Sequence, residues 1–142
     1  MERFLGRYEP YFYAILRIIS GFLFLLHGTQ KFFNVPPMPP GAPSGPLNGL
    51  MTVGGAIEVV AGLLILIGLF TSIAAFIASG MMAAAYFMAH QPMGALPPSN
   101  GGDAAVLFCF IFLYLAARGS GVLSVDAAMR GNPGAATSNG RT

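Results

Sequence analysis

One stretch constrains this chain more than any other: residues 11–33, an apolar run that is long enough to cross a bilayer and yet carries Arg17, His27, Gln30 and Lys31. About 20 helical residues rising ~1.5 Å each span a hydrocarbon core of roughly 30 Å. A charge near the middle of that core costs at least ~2.5–3.5 kcal/mol on insertion scales, so these side chains must face protein or a wet cavity rather than acyl chains. The rest of the sequence is then read by asking what meets that polar face.

Composition agrees with a membrane setting. Only 8% of the 142 residues are charged and 55% are hydrophobic, where soluble domains carry about a quarter charged residues. A net charge of +2, spread along the sequence, excludes a nucleic-acid surface, which needs Lys and Arg clustered on one face. The single cysteine, Cys109, lies in an apolar run, so no intrachain disulfide or thiolate metal cage can form. Arg3 and Arg7 precede the first run as in a signal peptide. The run is too long for that, contains Arg17 and leads into Gln30-Lys31-Phe32-Phe33 rather than a small-residue cleavage site, so it is expected to be retained.

Four hydrophobic segments follow one another, and the expected fold is all-α, a bundle of four transmembrane helices at about 11–33, 50–70, 73–89 and 103–117. Residues 1–10 form a cytoplasmic N-terminal segment, 11–118 the membrane domain and 119–142 a flexible cytoplasmic tail, too poor in apolar residues after Val125 to fold. Pro10 suits a helix start. Six prolines between 36 and 46 forbid a helix there, and a second Pro/Gly/Asn loop occupies 91–102. The fourth segment is short for a span, so it begins in the interface or thins the bilayer.

Arg3, Arg7, Arg118 and Arg130 flank the termini, whereas neither loop contains Lys or Arg and only Lys31 marks their edge. The positive-inside rule then puts both termini in the cytoplasm and both loops outside.

Helical periodicity groups the polar residues. Gly54, Glu58, Ala61 and Gly62 fall on one side of the second helix, where small residues let a neighbour come close. Ser79, Ala83, Tyr86 and His90 share a face of the third, and Asp103, Leu107, Phe110 and Tyr114 of the fourth. Glu58 lies ~12 Å and His27 ~9 Å below the outer edge at ~1.5 Å per residue. Helical side chains lean toward their own N-terminus, so Lys31 and Glu58 lean toward each other. His27, Gln30, Lys31, Glu58, His90 and Asp103 make up the candidate pocket in the outer half of the bundle, with Tyr86 and Tyr114 as secondary candidates. Arg17 is also secondary; it lies in the inner half, where it is expected to snorkel.

Two readings of that ring compete. In one, Lys31 and Glu58 are a buried pair that fixes helix register. In the other, the ring is a pocket for a quinone head group, a small thiol or sulfur anion, or a proton relay. Two histidines at different depths make neither a bis-histidine haem site nor a zinc site, so no metal is expected. No phosphate-binding loop, dinucleotide fingerprint or Gly-x-Ser-x-Gly elbow is present.

These residues resemble the DoxX family of small four-helix bacterial membrane proteins. The resemblance rests on Leu16-Arg17 with Gly21, Phe24, His27-Gly28 and Lys31-Phe32, on Gly55-x-x-Glu58-x-x-x-Gly62 with Leu66, Gly68, Leu69 and Thr71, and on Asn100-Gly-Gly-Asp103 leading to Gly119-x-Gly121-x-x-Ser124-x-Asp126. It implies a bacterial inner-membrane protein near quinone or sulfur redox chemistry, with no covalently bound cofactor and a quinone as the expected small-molecule partner. A protein partner in a membrane complex, or a homo-oligomer, is expected beside the lipid bilayer. Arg17, His27, Lys31, Glu58 and Asp103 are the positions the resemblance carries over. The long proline-rich first loop and the lack of a cofactor ligand set depart from a self-sufficient enzyme. A structural accessory subunit is the alternative, and a small-solute or lipid transporter ranks last, because four short helices leave little room for alternating access.

Overall fold

A computed structural model describes residues 4–42 and 46–131. The expectations for residues 1–3 and for the tail at 132–142 lie outside the described residues. Every regular element among the described residues is helical, as the sequence predicts.

Local chemistry sets the helix limits. A 3-10 turn at Gly6–Tyr8 leads into α1 (Glu9–Phe33), which carries Pro10 in its first turn and stops at Asn34, in the left-handed conformation that asparagine tolerates. Asn48 starts α2 (Gly49–Ile67) by accepting the Met51 amide at 2.8 Å. Gly68 ends α2 at φ +73°, short of the expected residue 70, so α3 (Thr71–Ala85) begins slightly earlier than expected. α3 runs on through a π-helical turn at Tyr86–His90 and a 3-10 turn at Gln91–Met93. A single turn, α4 (Pro97–Asn100), precedes α5 (Asp103–Arg118), and α6 (Val125–Arg130) follows, capped by Ser124.

Gly6–Phe33, Gly49–Ile67 and Thr71–Met93 are long and apolar enough to cross a membrane. α5, at 16 residues, measures ~24 Å at 1.5 Å per residue, below a full span. The four long helices alternate in direction, with the loops at 34–48 and 91–102 at one end and the 68–70 turn and the termini at the other.

α1 packs on α2 and α3 on α5, with α2 against α3. The first pairing is a backbone approach: a Cβ on Gly21 would stand 2.6 Å from the Leu66 nitrogen, and one on Gly62 would stand 2.7 Å from that of Leu25. Only glycine admits that contact, as in small-residue membrane interfaces. Ser79 donates to the Cys109 carbonyl at 2.8 Å and ties α3 to α5. Phe24 and Phe112, both fully buried with ring centroids 4.7 Å apart, join α1 to α5 in the core. The outer surface is apolar, with Ile15, Phe22, Leu63, Phe76 and Phe110 exposed, as lipid contact requires.

Three expectations are corrected. Arg17 does not snorkel. It is fully buried, and its guanidinium donates to the carbonyls of Ile65 (2.9 Å), Leu66 (3.0 Å), Val122 (3.4 Å) and Leu123 (2.6 Å). Residues 119–131 are not a flexible tail: they fold back against the turn between α2 and α3. The Asp126 amide donates to Gly68 O at 3.0 Å, and the Asp126 carboxylate accepts the Ser120 hydroxyl and the Phe70 and Thr71 amides. Polar cross-links to a buried cation and to the start of α3 hold a segment whose apolar content is too low to hold itself. Finally, Asp103, Leu107, Phe110 and Tyr114 do share a face, but it is the exposed one. α5 is apolar on both sides, so periodicity alone does not tell its inner face from its outer one.

Candidate functional site

In the half of the bundle next to the two proline-rich loops, the four long helices enclose a cavity of about 520 Å³. Its walls are overwhelmingly apolar, and its charged or titratable side chains are His27 and Lys31 from α1, Glu58 from α2 and His90 from the π-helical turn. Phe24 and Phe108 close it toward the core, while Met51, Met81, Met82 and Met88 contribute flexible, polarisable walls.

Lys31 Nζ donates to Glu58 Oε1 at 2.7 Å. The lysine side chain keeps 25% of its exposure, and that of the glutamate keeps 4%. Glu58 Oε2 is buried and receives no hydrogen bond. The position follows from the sequence: Gly55 and Gly62, either side of Glu58 on the same buried face, bring α1 close enough for Lys31 to reach across. An ionised carboxylate oxygen can only accept, so Oε2 is an acceptor facing the cavity without a donor.

The imidazoles are fixed by backbone. His27 Nδ1 sits 2.8 Å from Leu23 O, and its ring meets Phe108 edge to face. His90 Nδ1 sits 3.2 Å from Asn100 O, and its ring stacks on Tyr86. A carbonyl only accepts, so each ring donates from Nδ1 and keeps Nε2 for another partner. The π-helical turn carries His90 into the lining; such turns recur at functional positions.

The other candidates go elsewhere. Gln30 donates to Pro37 O at 3.2 Å and pins the first loop. Asp103 is exposed at the first residue of α5, outside the lining. Tyr86 stands behind His90, against Gly102. Tyr114 lies at the opposite end, accepting from Arg118 at 3.1 Å, where Arg118 also pairs with Glu9. Arg17 belongs to that end too.

Sequence reasoning missed Asn100 and the methionines. Asn100 is buried, donates to Gly94 O at 2.9 Å and accepts the Gly102 amide at 2.8 Å, and so shapes the loop that holds His90. Its signal was present in Asn100-Gly-Gly-Asp103, where attention fell on the aspartate. The methionine signal was their density between 81 and 93. Among the described residues no three His, Cys, Asp or Glu side chains come together as a metal-binding group.

Four long apolar helices around an internal cavity with a buried ion pair define a helical integral membrane protein. The chain belongs to the DoxX family, whose profile matches residues 12–91, more than half of its length. An uncharacterized protein of Haemophilus influenzae is 42% identical over 125 residues, covering 86% of this chain and 93% of the relative. No solved structure matches. The residues of α5 and of the folded-back segment lie beyond the family match but largely within the span shared with that relative's length.

Proposed function

We propose that this DoxX-family protein is a subunit or accessory factor of a quinone- or thiol/sulfur-linked redox process, and that the cavity receives the polar head of its small-molecule partner. The observation that carries the reading is Glu58 Oε2, a buried acceptor without a donor on the wall of an otherwise apolar cavity. A cavity of this size suits a small amphipathic ligand. The apolar walls take the body, and Lys31, Glu58 and the two Nε2 atoms meet the head. In this reading residues 11–118 form the membrane domain of a bacterial plasma-membrane protein with both termini cytoplasmic, so that the cavity lies in the outer half, and a protein partner supplies the electron-carrying centre.

The test is purification of the full chain in native lipid, followed by mass spectrometry of co-purifying quinones and proteins. Glu58→Gln and Lys31→Ala are expected to lose the small molecule while the protein still accumulates in the membrane. The 2.7 Å Lys31–Glu58 bond favours a second reading, a structural accessory subunit whose ion pair only sets helix register. Variants that vanish from the membrane, with no small molecule on the wild type, would establish that one instead.

A further inference from the structure

We infer that the cavity selects the hydrogen-bearing member of its redox couple: for a quinone couple, the hydroquinone rather than the quinone. The inference rests on the quinone reading above and adds to it a direction of recognition.

The argument is one of donors and acceptors. Glu58 is 3% exposed; Oε1 is occupied by Lys31, and Oε2 is buried with no donor. A ligand that fills the cavity excludes water from Oε2, so it must itself bring a hydrogen or leave the oxygen unsatisfied. A quinone carbonyl cannot do this, because it only accepts and would set lone pairs against lone pairs. A hydroquinone hydroxyl donates to Oε2 and, through its own oxygen, can accept from Lys31 Nζ, which has donors beyond the one given to Oε1. The histidines add to the bias. Both hold carbonyls through Nδ1, so each neutral ring presents a further acceptor at Nε2. The same logic favours a thiol over a disulfide.

Binding separates the two members. The full-length chain is placed in lipid nanodiscs under anaerobic conditions. Kd is read from the concentration dependence of the thermal midpoint for three probes: decylubiquinone, its hydroquinone, and the O,O-dimethyl ether of the hydroquinone, which accepts but cannot donate. The hydroquinone is expected to bind about tenfold or more tighter than either other probe, the range of one charge-assisted hydrogen bond. In Glu58→Gln, whose amide can donate where Oε2 accepted, that preference is expected to vanish or reverse.

Equal binding of quinone and hydroquinone, or an ether as tight as the hydroquinone, overturns the inference while leaving the quinone reading in place. So does a preference that survives Glu58→Gln. No shift with any probe overturns both. The ether comparison is made on wild-type protein, so it stands even where the variant fails to fold.

Discussion

Replacing Arg17 by methionine tests the largest structural claim made for this fold. The guanidinium joins the last carbonyls of α2, at Ile65 and Leu66, to those of Val122 and Leu123 in the folded-back segment. Hydrogen bonds to a charged group contribute ~1.5–3 kcal/mol each. Four would sum to about 6–12 kcal/mol, and two things reduce that. The Val122 contact is long at 3.4 Å, and Ile65 O retains the Gly68 amide at 3.2 Å. The variant also escapes the several kcal/mol of desolvation that burying the guanidinium entails. A net loss of about 3–5 kcal/mol remains, a large share of a typical total of about 5–15 kcal/mol. Two readouts follow in detergent micelles. The thermal midpoint falls, and chymotryptic cleavage after the exposed Leu123 accelerates before the helices unfold. Arg17→Lys recovers part of the loss, since one ammonium cannot span both carbonyl pairs. An Arg17→Met protein with an unchanged midpoint and an unchanged cleavage rate at Leu123 would refute the reasoning.

Three further outcomes are expected. Gly62→Ala puts a methyl 2.7 Å from the Leu25 nitrogen, backbone that cannot yield cheaply; a loss of about 1–3 kcal/mol in unfolding free energy is expected, with weaker cross-linking between cysteines placed on α1 and α2. Lys31→Met alone should cost ~3–5 kcal/mol by stranding Glu58, whereas Lys31→Met with Glu58→Leu should be near neutral, and thermal midpoints of the two decide whether the pair is coupled. The hydroxyl of Ser120, then the Phe70 amide, Arg130 and the Thr71 amide, hold the Asp126 carboxyl below its ordinary 3.8. Its stabilisation is therefore complete above that ordinary value and lost as pH falls through the lowered folded one. Midpoints between pH 2 and 6 should show that acid loss in wild type and a flatter profile, starting lower, in Asp126→Asn.

The sequence revealed the membrane class and the four helices because apolar length and sparse charge are properties of composition. It also revealed the approach of Lys31 to Glu58, since side-chain lean is a local rule that holds wherever two helices run antiparallel. What stayed hidden depends on partners far along the chain. Arg17 reads as a cation near a membrane edge until Val122 and Leu123 arrive to meet it. Residues 119–130 read as tail because their stability comes from polar bonds rather than from apolar content. The inner and outer faces of α5 are both apolar, and only its packing on α3 tells Phe112, fully buried, from Phe110, at 64% exposure. Asn100 escaped notice because its role is exercised through its own backbone carbonyl, which no side-chain motif records.

The Arg17 contacts also impose an order on biosynthesis. Two of the carbonyls that receive this guanidinium lie 48 and 49 residues downstream, and two lie 105 and 106. A ribosome delivers α1 and α2 to the translocon long before it makes Leu123, so the nascent hairpin enters the bilayer with half of that cation's partners still untranslated. Chains truncated before residue 122 leave it in that condition permanently. They should be preferred substrates for membrane quality-control proteases, even though every helix long enough to span is already complete.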